Sequence, residues 1–103
     1  MKFFVGIGRY QLDMASCASL KDKRRFIKSI IDRLGNSKVI AVSEVGDHDY
    51  WKSGTLALAC VSASREVVLN TLEKARKTME GYGVEVVRSE RWVLKPEDLE
   101  EQL

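Results

Sequence analysis

Between Ser19 and Gly35 the chain reads SLKDKRRFIKSIIDRLG, and its basic residues are the ones typed and spaced to meet a polyanion. At 100° per residue, Lys21, Arg24, Arg25 and Lys28 share one side of a helix, opposite an apolar arc of Phe26, Ile27, Ile30, Ile31 and Leu34. From Lys21 to Arg33 there are six basic and two acidic residues, a local excess of +4 against +2 for the whole chain. Two features of this stripe weaken the helix. Lys21, Lys23 and Arg24 occupy the first turn, where the helix dipole is already positive and each cation costs roughly 0.3–1 kcal/mol at low salt. Lys21 with Arg25, and Arg24 with Lys28, are like-charge pairs at i,i+4; only Lys28 with Asp32 is favourable. A local rule broken without visible compensation marks a candidate functional surface. On that reading Lys21, Arg24, Arg25 and Lys28 contact phosphates, which position a nucleic acid without reading its bases. The competing reading is a solvated face, partly paired with the acids Glu97, Asp98, Glu100 and Glu101. Lys23 falls at the edge of the apolar arc, so its stem is expected to lie on the core and its ammonium in water.

A second cluster, SEVGDHDYWKSG, gathers Glu44, Asp47, His48, Asp49, Trp51 and Lys52. Carboxylate and imidazole suit divalent ions. The spacing matches no ligand set, however, and the chain has one histidine, so no metal is expected. As a recognition loop, Trp51 is available for stacking and Lys52 for extending the basic surface. The alternative folds Trp51 over the core edge, uses Asp47 and Asp49 in turn hydrogen bonds, and pairs Glu44 with a basic residue. Cys17 and Cys60 form no CxxC and read as small apolar residues. GIGRYQ lacks the third glycine and helix start of a dinucleotide fingerprint. GRYQ is also faintly similar to the phosphate loop of acylphosphatases, but the glycine-rich remainder is absent. With no Ser/His/Asp or Cys/His set, the expectation is a protein that is not an enzyme, with no catalytic residues and no cofactor.

The elements that must position these residues follow from patterning. A chain of 103 residues with 45% hydrophobic and 31% charged residues suits one small globular domain. No apolar run approaches the ~20 residues of a membrane span. The N-terminus reads as a buried strand, not a signal peptide, which makes the cytoplasm the expected location. Lys2–Leu12 alternates as a strand, with Phe3, Val5 and Ile7 on one face and Phe4, Gly6, Gly8 and Tyr10 on the other. Ser19 caps a helix, helped by Asp22, and Gly35 ends it. Strands follow at Val39–Val45 and Thr55–Ser62; the latter, TLALACVS, is apolar on both faces and reads as central. Ser64 caps a second helix with Val67, Val68, Leu72, Ala75 and Met79 on one face. Gly81 and Gly83 stop it, and Val84–Leu94 is the last strand. The domain is thus 1–94, followed by an acidic tail at 95–103 that Pro96 can open as a helical turn.

The order β-α-β-β-α-β, with short connections and right-handed crossovers, predicts an α+β ferredoxin-like sandwich. It has a four-stranded antiparallel sheet with two helices on one face. The other face stays uncovered, with a composition compatible with a partner subunit. RNA-recognition motifs share this architecture but stack bases on aromatics of the third and first strands. Here the third strand has no aromatic.

Ser19-Leu20-Lys21, Lys23-Arg24 and Val42-Ser43-Glu44-Val45, with Asp49 and Trp51 following, resemble the YlxP-like family of small bacterial proteins of unknown function. The resemblance runs from the first strand to the last. It implies a ferredoxin-like fold and, through genes for translation and ribosome-maturation factors that often neighbour the family's own, an RNA or ribosome role by association. It supplies no catalytic residue, and the acidic tail departs from the shorter family pattern. The expected function is therefore non-catalytic association with RNA or the ribosome through Lys21, Arg24, Arg25, Lys28, Trp51 and Lys52. The alternative is a homodimeric interaction module, built on the sheet face or an edge strand, that binds no nucleic acid.

Overall fold

The structure, a computed structural model, describes residues 1–98. The elements are β1 (Phe4–Asp13), α1 (Leu20–Gly35), β2 (Ile40–Gly46), β3 (Ser53–Ser62), α2 (Arg65–Glu80) and β4 (Glu85–Leu94). A 3-10 turn at Pro96–Asp98 follows. The sheet has the order β2-β3-β1-β4 with every neighbouring pair antiparallel. Each helix therefore carries the chain over one intervening strand, as the predicted ferredoxin-like fold requires. Strand and helix limits differ from expectation by one or two residues, which is ordinary fraying. Most of the acidic tail, including Glu100 and Glu101, lies outside the described residues.

Local chemistry explains the helix starts. Ser19 Oγ accepts from Asp22 N at 3.1 Å, and Asp22 Oδ2 accepts from Ala18 N at 3.0 Å. This is a capping box shifted by one residue at its second bond. Ser64 Oγ accepts from Val67 N at 3.3 Å and opens α2. The core forms where the buried stripes of both helices meet one face of the sheet. Ile27, Ile30 and Leu34 of α1 and Val68, Leu72, Ala75 and Met79 of α2 pack on Tyr10, Leu12, Leu56, Leu58 and Cys60. Val67, expected on the buried stripe, is instead exposed. It sits 100° round the helix from Val68, just outside the arc the sheet covers. Cys17 and Cys60 are buried free thiols, and loss of hydration pushes both above the usual thiol range.

Gly6 sets how closely α2 approaches β1, and Gly8 makes room for the Tyr10 ring. A Cβ on Gly6 would overlap Val68 Cγ1 and lie 3.0 Å from Cys60 Sγ. One on Gly8 would lie 2.6 Å from the Tyr10 ring, which folds back over that position. Gly6→Ala should therefore destabilise the domain by about 1–3 kcal/mol through overpacking, read as a lower denaturant midpoint with unchanged slope. A midpoint equal to wild type would show that α2 is free to shift.

The Tyr10 hydroxyl, buried, donates to the carbonyl of Leu72 at 3.0 Å and ties β1 to α2. Burial, with a smaller contribution from Cys60, raises its pKa from 10.0 to about 12. The unfolded chain then releases this proton at lower pH than the folded one. The stability it contributes is whole below pH 10 and declines as pH rises towards 12. Over that window the loss is about 2–3 kcal/mol. Tyr10→Phe should flatten the fall in a series of denaturant titrations from pH 9 to 12; an undiminished slope would assign the alkaline loss to other groups.

Candidate nucleic-acid interface

The first turns of α1 present Lys21, Arg24, Arg25 and Lys28 to solvent on the side away from the core. Two of them are held by carboxylates. Lys28 Nζ lies 2.8 Å from Asp32 Oδ2, and that hydrogen bond raises its pKa. Arg24 Nη2 lies 3.6 Å from Asp49 Oδ1, with both side chains largely exposed, so the pair contributes little to stability. Among the described residues no carboxylate comes within 4.0 Å of Lys21 or Arg25. Of the proposed tail partners, Asp98 accepts from its own Lys95 N at 2.8 Å, and neither it nor Glu97 pairs with α1.

Lys23 overturns its expected place in water. Its side chain is wholly buried, and Nζ donates to the carbonyls of Asp47 and Tyr50, the latter at 2.5 Å. Glu44 Oε2, buried and otherwise without a hydrogen-bond partner, lies 3.4 Å from the same nitrogen. The ammonium is thus the hub of the β2–β3 loop. That loop reverses at Asp47, whose φ of 60° is a left-handed conformation uncommon outside glycine. Tyr50 N donates to Asp47 O at 3.1 Å, and Asp47 Oδ2 accepts from Ser53 Oγ at 3.0 Å. Met14 N donates to Lys52 O at 2.8 Å, fastening the loop to the β1–α1 connection as well. A Cβ at Gly54 would press on Ile27 Cδ1 at 3.2 Å and touch the lysine stem in ordinary contact, 3.4 Å from Lys23 Cε. The helical period placed Lys23 at the edge of the apolar arc; only the loop folded across that edge turns the edge into an interior.

The loop is therefore seated on the first turns of α1, beside the cationic stripe. Trp51 is half-buried and packs on the core, as the alternative reading of this residue expected. The Lys52 ammonium stands 5.3 Å from its ring centroid. Tyr50, not singled out from sequence, is the loop's more exposed aromatic, at 53%. His48 Nε2 lies 3.2 Å from Glu44 O. Among the described residues no three His, Cys, Asp or Glu side chains converge as metal ligands. No helix among them is long and apolar enough to cross a membrane.

This arrangement defines a two-layer α+β domain whose distinctive surface is a basic helix clamped to a loop. Residues 5–91 match the family described as "Protein of unknown function (DUF503)", and the chain belongs to that family. It is 27% identical over 78 residues to the uncharacterized protein YlxP of Bacillus subtilis strain 168, covering 76% of this chain and 85% of that one. Two solved structures share the fold. The VAO-type flavoprotein MtVAO615 of Myceliophthora thermophila matches with TM-score 0.56 and 15% identity over 94% of this chain, but over 17% of its own. The dinuclear metal-binding M20-family peptidase YXEP of Bacillus subtilis matches with TM-score 0.54 and 17% identity, over 91% of this chain and 26% of its own. At such identities the likeness extends to the fold alone.

Proposed function

We propose that the protein is a non-catalytic, RNA- or ribosome-associated domain whose contact surface is the exposed side of α1 with the adjoining loop. The observation that carries this reading is the set of four exposed cations, Lys21, Arg24, Arg25 and Lys28, in the first turns of α1. Neither Lys21 nor Arg25 has a carboxylate within ion-pair distance among the described residues. Phosphate oxygens would supply the negative charge that the first turn of a helix favours against its lysines and arginines. Lys52 extends the surface from the loop, and Trp51, with Tyr50 beside it, offers an aromatic edge for stacking. The reading assigns no catalytic residue, cofactor or metal. It is tested by titrating the protein against ribosomal particles and a structured RNA at low and physiological salt. Binding that weakens steeply with salt supports it; binding to neither, at either salt, refutes it.

A further inference from the structure

The sheet face opposite the helices carries a graded set of side chains. The strand register sets their rows. Trp92, Ile7, Ala59 and Ala41 lie side by side across β4, β1, β3 and β2. Glu90, Arg9, Ala57 and Ser43 form the next row. In both, the large side chains stand on β4 and β1 and the small ones on β3 and β2. Val5, Val61 and Leu94 close the apolar end, and Val61 and Trp92 remain 54% and 41% exposed.

We propose that this face is closed by a second copy of the chain, stacked about a two-fold axis that runs parallel to the strands between the two sheets. That operation keeps each row over the same row but reverses its order across the sheet. Trp92 and Ile7 of one copy then cover Ala41 and Ala59 of the other, so large meets small twice over. A two-fold across the strands would instead set the bulky β4 side chains against each other and the charged row against the apolar one. The charges on the face suit the first arrangement. Arg9 Nε and Nη2 lie 2.8 and 2.7 Å from Glu90 Oε1, and the Arg9 guanidinium stands 5.4 Å from the Trp92 ring centroid. Arg88 Nε, 3.6 Å from the same Glu90 oxygen, leaves one net positive charge per copy, but its side chain is 68% exposed on the edge strand β4 and keeps that charge at the rim in solvent. The small Ala57 and Ser43 then cover only the Arg9–Glu90 pair, so no charge is stranded inside the interface. A face of four strands, each about 4.8 Å wide, is roughly 19 Å across and ~30 Å long; covering it on both copies would bury about 1,100 Å² in total, at the low end of the range for a specific interface. The inference stands apart from the RNA reading, because the stripe on α1 faces away from this interface in both copies.

Sedimentation velocity from ~1 to ~200 µM, a range spanning weak homodimers, tests it. A species of twice 11.7 kDa is expected. Ala59→Arg, at an exposed position on the face, should weaken the association at least ~30-fold by placing an unpaired charge against Trp92 and Ile7. Should that variant fail to fold, Ala41→Arg reads the same contact from the edge strand. A wild-type protein that stays monomeric throughout overturns the proposal. So does a dimer indifferent to the folded variant, which would place the contact elsewhere, as would association through an edge strand.

Discussion

Replacing Arg24 and Arg25 with glutamate should abolish salt-sensitive binding to RNA while leaving the domain folded. The wild-type affinity is expected to fall by roughly 50–150-fold between 50 and 200 mM salt if about four phosphates are contacted, at 0.7–0.9 log units per contact per decade of salt. The double substitution removes two of those contacts and adds repulsion, so residual binding should be too weak to show a slope. Folding should survive because both side chains are exposed, and each glutamate turns a like-charge i,i+4 pair, with Lys28 or with Lys21, into an opposite-charge one. The Arg24–Asp49 pair, 3.6 Å apart and largely exposed, is lost in the variant, and a glutamate there would repel Asp49 weakly through solvent. Filter binding and thermal melts on the same samples separate the two effects. Equal binding by both proteins would return the stripe to a solvated face.

Lys23→Met should cost far more stability than any change on that exposed stripe. Methionine keeps the stem's packing but removes the ammonium. That strips the carbonyls of Asp47 and Tyr50 of their donor and leaves the buried Glu44 oxygen without its cation. Removing one partner of such a buried pair costs about 3–5 kcal/mol, a large share of the stability of a domain this size. The melting temperature should therefore drop by roughly 12–25 °C. The companion variant Lys23→Met/Glu44→Gln should recover part of the loss, because a neutral amide is less costly to leave without a cation. Nothing comparable is expected from Lys21→Met, whose side chain is exposed. A melt shifted by less than a few degrees in Lys23→Met would mean that water replaces the ammonium and that the loop needs no anchor.

These two residues show how far the site could be read from the chain. Arg24 was recognisable because a charge in the wrong turn of a helix is a purely local feature. Lys23 was not. Its one-dimensional signature, a cation beside an apolar arc, is shared by every snorkelling lysine, and its partners are backbone carbonyls 24 and 27 residues away. Backbone acceptors have no identity in a sequence. Trp51 was open to both readings for a similar reason. An aromatic in a polar loop packs or projects according to where the loop lands, and here it lands on the core.

By itself the amino-acid sequence determined the element order, both helix caps, the apolar stripes and hence the ferredoxin-like architecture. Those properties depend on spacings of a few residues and on the short menu of right-handed connections. The tertiary structure alone decided which charges face water and which are interior. It decided that Val67 lies outside the core, that the β2–β3 loop is clamped to α1, and that the open sheet face is bulky on one side and small on the other. All of these turn on contacts between residues distant in the chain, where burial is a property of what packs overhead, and no local pattern specifies that.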